Sequence, residues 1–202
     1  MGKLVVTEFI SLDGVIEAPG GGEEFEHAGW SFEFNRGEEG DKFKFDELMA
    51  ADAQLLGRVT YEGFAKAWPS MSDAETGGFA GRMNQMPKYV VSTSLSDADA
   101  DWENSTVIRE DVPGQVSKVK EQADGDVLVA GSAQLVRSLA EHDLVDEYRL
   151  MVFPIVLGSG KRLFSETSGK RRLRLVDSKA VGDGIAILTY DTAAGAEGSS
   201  AA

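Results

Sequence analysis

The chain has 202 residues, of which 42% are hydrophobic and 27% charged, enough for one globular domain with a single substantial core. Its 20 Lys and Arg against 34 Asp and Glu give a formal net charge of −14, which disfavours nucleic acid and anionic membrane as partners. Cysteine is absent, which excludes disulfides, thiolate catalysis and Cys-based zinc sites. The N-terminal MGKLVVTEFISLDG is too short and too polar for a secretory signal, and no stretch approaches the ~18 apolar residues of a membrane span, so a cytoplasmic protein is expected.

Residues 3–10 (KLVVTEFI) are rich in β-branched and apolar side chains and read as a buried strand. SLDGVIEAPGGGEE follows, and its Asp-Gly pair and glycine run predict a long loop. Residues 41–53 place Phe45, Leu48 and Met49 at helical spacing, and QLLG (54–57) is a short apolar strand. A helix is predicted over 58–68, then a loop and short helix, then a strand over 87–94 with proline at its first position. Residues 106–110 are a further strand, 112–123 a helix, 126–130 a strand and 132–142 a helix with Leu135, Val136 and Leu139 on one face. A long strand region over 145–158 is interrupted by Pro154, and 172–181 and 184–191 form a hairpin around Gly182-Asp183-Gly184. The expected architecture is α/β, a three-layer fold with a mostly parallel central sheet and antiparallel C-terminal strands. One domain over 1–191 is expected to end in a disordered tail, 192–202, which lacks large apolar residues.

Four segments lie just after a predicted strand, where open α/β sheets place their ligands. They are Ser11–Ile16, Gly57–Thr60, Ser92–Ser94 and Gly131–Gln134. Gly57-Arg58-Val59-Thr60 and Gly131-Ser132 each open a helix, whose first N–H groups lack internal partners and carry partial positive charge. Backbone amides there can hold a diphosphate, with Arg58 as counter-charge and Thr60 as a hydroxyl donor. For each segment alone, ordinary turn and capping chemistry is the plainer reading.

LLGRVTYEGF and DVLVAGSAQLVRSLAEHDLVDEYRLMVFPIVLGSGKRLF resemble the dihydrofolate-reductase-like superfamily over about residues 3–190. The nearest group is the reductase domain of the bifunctional riboflavin-biosynthesis deaminase-reductase and its small stand-alone relatives. The resemblance implies NADPH as hydride donor and a pyrimidine- or pteridine-like heterocycle as acceptor, such as 5-amino-6-(5-phosphoribosylamino)uracil. Carried onto this chain, it implies that Gly57, Arg58, Thr60, Gly131, Ser132, Ala133 and Gln134 surround the cofactor phosphates. Ser92, Thr93 and Ser94 would approach the 2′-phosphate, and Leu12, Asp13, Gly14, Val15 and Ile16 match the loop covering the nicotinamide. Relatives of this type also imply a homodimer.

Two positions depart from the family pattern. Ser132 stands where the family has a second glycine, and Gln134 where dihydrofolate reductases carry a basic residue. By spacing, Asp41 falls at the catalytic-acid position of dihydrofolate reductase, with Asp46 and Glu47 about a turn further on. A buried carboxylate there could hold its proton to higher pH and protonate a ring; a helix-start acid interacting with the dipole is the plainer reading. Trp30, Phe32 and Phe34 could stack on a heterocycle or belong to a lid or core edge. His27 and His142 lack partners at metal spacing, and no metal site is expected. Lys161, Arg162, Lys170, Arg171, Arg172 and Arg174 form a basic cluster, readable as a phosphate site or as solvated strand-edge charge. The alternative functions are a nucleotide-binding protein that keeps the cradle with weak or no reductase activity, and a dihydrofolate reductase-like enzyme.

Overall fold

The computed structural model describes residues 1–22, 24–164 and 169–192. Eight strands form one sheet, β1 (Leu4–Ser11), β2 (Ala51–Gly57), β3 (Lys88–Val91), β4 (Ser105–Ile108), β5 (Asp126–Ala130), β6 (Glu147–Phe153), β7 (Arg174–Val181) and β8 (Ile185–Asp191). Their order across the sheet is β4-β3-β2-β5-β1-β6-β8-β7. The first six are mutually parallel, whereas β8 runs antiparallel to β6 and β7 antiparallel to β8. This is the expected mostly parallel sheet finished by an antiparallel hairpin.

Among the described residues six α-helices cover it: α1 (Gly37–Ala50), α2 (Arg58–Ala67), α3 (Asp73–Thr76), α4 (Phe79–Gln85), α5 (Val112–Gln122) and α6 (Ala133–Glu141). α5 and α6 pack on one face, where Val116, Val119, Leu135, Val136 and Leu139 meet Leu4, Val6, Leu55, Val127 and Leu150. Leu48 of α1, Tyr61 of α2 and Met83 of α4 pack on the other face against Val5, Leu56, Val90 and Leu128. The central strands are thus buried on both faces, which is why they read as continuous apolar runs.

Two boundaries differ from the sequence reading. The helix expected over 41–53 begins at Gly37 and ends at Ala50, and β2 starts at the next residue without a loop. Ala51 and Ala53 carry no turn signal, and a register shift between them turns the strand so that Ala51 and Leu56 share a face. The short helix before β3 is two helices, α3 closed by the left-handed Gly77. Thr192, assigned to the tail, donates its hydroxyl to the Val145 carbonyl at 2.6 Å; residues 193–202 lie outside the described residues. No helix among the described residues is long and apolar enough to cross a membrane.

Candidate functional site

The connections decide where a ligand crevice opens. β2 and β5 are neighbours, yet α2 leaves β2 for one face of the sheet and α6 leaves β5 for the other. Such a switch point leaves a crevice beyond the carboxyl ends of the strands. Two of the four predicted segments meet there. The Gly57 N–H donates to Ser132 Oγ at 2.8 Å, and the Ser132 N–H donates to Thr60 Oγ1 at 3.1 Å. The two hydroxyls also lie 3.1 Å apart. Gly131 and Ser132 are both left-handed, with φ of 56° and 59°. A Cβ on Gly131 would stand 2.8 Å from Thr60 Oγ1, so only glycine lets the two turns approach.

Neither α2 nor α6 has a side-chain cap at its N-terminus. Their first-turn amides therefore remain available to an anion. The amides of Gly57, Gly131 and Ser132 are engaged within the protein itself. Ala133 is buried and Gln134 exposed at the start of α6. Arg58 is exposed and its guanidinium pairs with Glu62 one turn along α2, at 2.9 Å. After β3, buried Ser92 caps its own turn by accepting the N–H groups of Ser94 and Leu95, at 3.2 and 2.9 Å, while Thr93 and Ser94 are exposed.

The loop after β1 is pinned along its length. Leu12 donates its N–H to the Ile155 carbonyl, Ile16 to that of Lys161, and Leu163 returns a bond to Gly14. Val15 bridges to Arg162, and both Val15 and Ile16 are buried whereas Leu12 is 67% exposed. Asp13 is the centre of this clasp. Its carboxylate accepts the Ser11 hydroxyl at 2.7 Å and the N–H groups of Leu157 and Gly158 at 3.1 and 2.9 Å. The Ser11 hydroxyl foremost, with the two amides, holds its pKa down to about 2 against the effect of burial. Asp13 thus shapes the loop, and the conspicuous GSGKR segment is its counterpart. Gly160, at φ 115°, lies against Val15 and Phe25, and a Cβ there would meet them at 2.6 and 3.0 Å.

Asp41 lies on the outer face of α1, 59% exposed and paired with Arg36 at 2.8 Å, so the burial that would qualify it as an acid is absent. The buried carboxylate of α1 is Glu47. It accepts the Thr7 hydroxyl at 2.8 Å and a bond from Lys44, and it faces Arg149 at 3.6 Å. Helical geometry explains the substitution, because Gly40, Lys44 and Glu47 share the inward stripe and Asp41 does not. A second buried carboxylate, Glu8 on β1, was not singled out from sequence. Its signal was a lone acid inside an apolar strand, where charged side chains are rare.

Trp30 is core, donating its indole N–H to the Glu17 carbonyl and meeting Phe153 edge-on at 5.3 Å. Phe34 also packs on Phe153, and only Phe32 projects outward. The basic cluster is dispersed: Arg162 faces Asp13, Arg171 pairs with Asp143, and Arg174 with Asp191. Among the described residues no group of three or more His, Cys, Asp or Glu could hold a metal ion.

The comparisons with known proteins agree with this architecture. Residues 2–187 match the RibD C-terminal domain. The chain belongs to that family. Among curated proteins it is 31% identical over 183 residues to the uncharacterized protein YwjB of Bacillus subtilis (strain 168), covering 91% of this chain and 94% of that one. Among solved structures, a putative riboflavin biosynthesis protein from Shewanella sp. PV-4 aligns with a TM-score of 0.72 at 20% identity, over 95% of this chain and 99% of that one. Dihydrofolate reductase from Enterococcus faecalis, complexed with NADP(H) and RAB-propyl, aligns with a TM-score of 0.58 at 16% identity, over 95% of this chain and 97% of that one. These likenesses place the RibD C-terminal domain on a dihydrofolate-reductase-like fold, as its sequence motifs imply.

Proposed function

We propose that this RibD C-terminal domain is an NADPH-dependent reductase of a pyrimidine- or pteridine-like heterocycle. The observation that carries the reading is the pair of uncapped helix N-termini, α2 and α6, tied together through Gly57, Thr60 and Ser132 at the switch point. The tight Gly131 turn and the open first-turn amides fit a diphosphate. When bound, NADPH supplies a hydride to a polarised C=N or C=O bond of the substrate. The chain's own residues bind and orient: Arg58 and the Thr93 and Ser94 hydroxyls serve the 2′-phosphate, and the clasped Leu12–Ile16 loop walls the nicotinamide side. Similarity to a pyrimidine reductase-like protein from Corynebacterium diphtheriae, with a TM-score of 0.62 at 13% identity over 95% and 92% of the two chains, is consistent with this substrate class through the fold alone.

One observation favours a second reading, a nucleotide-binding protein with little turnover. Ser132 occupies the Gly57 amide, and Glu62 occupies Arg58, so a cofactor meets a cradle partly satisfied by its own side chains. Following NADPH absorbance with dihydrofolate, pterins and 5-amino-6-(5-phosphoribosylamino)uracil separates the two. Saturable NADPH binding with no oxidation supports the binding protein; no binding of NADPH or NADH removes both. The proposal includes a homodimer through the exposed outer strand β7, where Leu175 and Val176 are each 52% exposed. Sedimentation at a monomer's rate would remove that part.

A further inference from the structure

The last rung between β1 and β5 joins Thr7 to Ala130, and the two strands separate at the next residue of each, Glu8 and Gly131. The Glu8 side chain fills that divergence. One carboxyl oxygen accepts the Gly131 N–H at 3.1 Å, and the other is buried with no hydrogen-bond partner. Glu8 is 4% exposed. A buried carboxyl with an unpaired oxygen is costly to hold, and its place against the cradle turn calls for an explanation beyond packing.

We propose that Glu8 is a proton-dependent positioning residue of the cofactor cradle, acting on the ligand through the Gly131–Ser132 turn. The inference rests on the cofactor reading given above. In its neutral form the carboxyl supports the turn and adds no charge beside the phosphates. In its ionised form it grips the Gly131 N–H more strongly and repels a diphosphate at the same turn. Glutamine could make the same bond to Gly131; only the acid changes charge.

The surroundings set the direction. Burial pushes the Glu8 carboxyl well above the ordinary carboxylate range. The Gly131 N–H and the Lys44 ammonium from α1 oppose that, and the Glu47 carboxylate, also from α1, reinforces it. From β6 the facing residue is Leu150, which carries no charge, and Ser132, Ala133 and Gln134 of the β5–α6 turn carry none either.

The test uses the full chain. Carbon-13 NMR of labelled glutamate follows Glu8 in the ligand-free protein from about pH 5 to about pH 9. Fluorescence titration measures NADPH and NADH affinity across the same range, because the NADH diphosphate does not itself titrate there. The expected result is a loss on the order of tenfold in both affinities, with the midpoint of the Glu8 titration. Glu8→Gln is expected to remove that pH dependence, and Glu8→Ala to remove it too while weakening binding at low pH, where the neutral carboxyl of the parent supports the turn. Affinities that stay flat while Glu8 titrates overturn this inference and leave the cofactor reading intact, as does an unchanged pH profile in Glu8→Gln. A Glu8 carboxyl that titrates in the ordinary range overturns it without any ligand. Failure to bind either cofactor at any pH overturns both.

Discussion

The Ser132 hydroxyl accepts the Gly57 N–H at 2.8 Å, joining the turn after β5 to the turn after β2. It is the principal side-chain tie between the openings of α2 and α6, and it sits on a left-handed residue, φ 59°. That backbone costs a non-glycine residue roughly 1–2 kcal/mol, and the hydrogen bonds it allows return about 1 kcal/mol each. Replacing Ser132 by Ala keeps the first effect and removes the second, so a loss of about 1–2 kcal/mol is expected. Ser132→Gly removes both and should remain within about 1 kcal/mol of the parent. Urea denaturation checks the order, and an alanine variant more stable than the glycine variant would contradict it.

The Arg58–Glu62 pair competes with any phosphate for the guanidinium. Arg58→Ala is expected to weaken NADPH more than NADH, through a charge-assisted bond worth about 1.5–3 kcal/mol. Glu62→Gln should have the opposite sign, tightening NADPH a few-fold by freeing Arg58. Fluorescence titration of both cofactors measures this. Equal effects on the two would remove Arg58 from the 2′-phosphate.

Asp41→Asn is expected to leave turnover within about twofold, since the side chain is exposed and paired with Arg36. A loss of several hundred-fold at constant cofactor affinity would restore Asp41 as the acid. Glu47→Gln should instead act on stability, because it disturbs the bonds to Thr7 and Lys44 and the facing Arg149 charge.

Asp13 links the clasp to acid stability. Its folded pKa, about 2, lies below the unfolded value of about 3.9. The stabilisation is therefore complete above about pH 4 and is lost as pH falls through about 2. Asp13→Asn should be less stable than the parent at neutral pH, and the gap should narrow below about pH 3. A gap independent of pH, followed by urea midpoints, would show that the carboxylate charge is not what holds residues 157 and 158.

Much of the fold was legible because its signals are local. β5 occupies the predicted 126–130, and the hairpin turns at Gly182 and Gly184, which have positive φ as a tight turn requires. The junction of α1 and β2 was not, because Ala50 and Ala51 carry neither glycine nor proline to mark the change. In the site, the motif glycines were visible, yet their hydrogen bonds were not. Sequence spacing places Gly57 and Gly131 after strands, whereas their contact depends on β2 and β5 being neighbours. Asp41 stood at the acid's position along the helix, and the face it occupies was decided by the stripe of Gly40, Lys44 and Glu47 beneath it. Asp13 has its cofactor role from the resemblance alone, and its bonds to Leu157 and Gly158 were not legible because those residues are distant in sequence.

The place of β1 has a consequence in time. Its neighbours in the sheet are β5 and β6, which begin at Asp126 and Glu147. During synthesis β1 emerges before both and stays unpaired until they follow. Its run LVVTEFIS is apolar on both faces and would be exposed to other chains over that interval. The lone acid Glu8 interrupts that run, placing a charge within it of the kind that opposes pairing between exposed apolar strands.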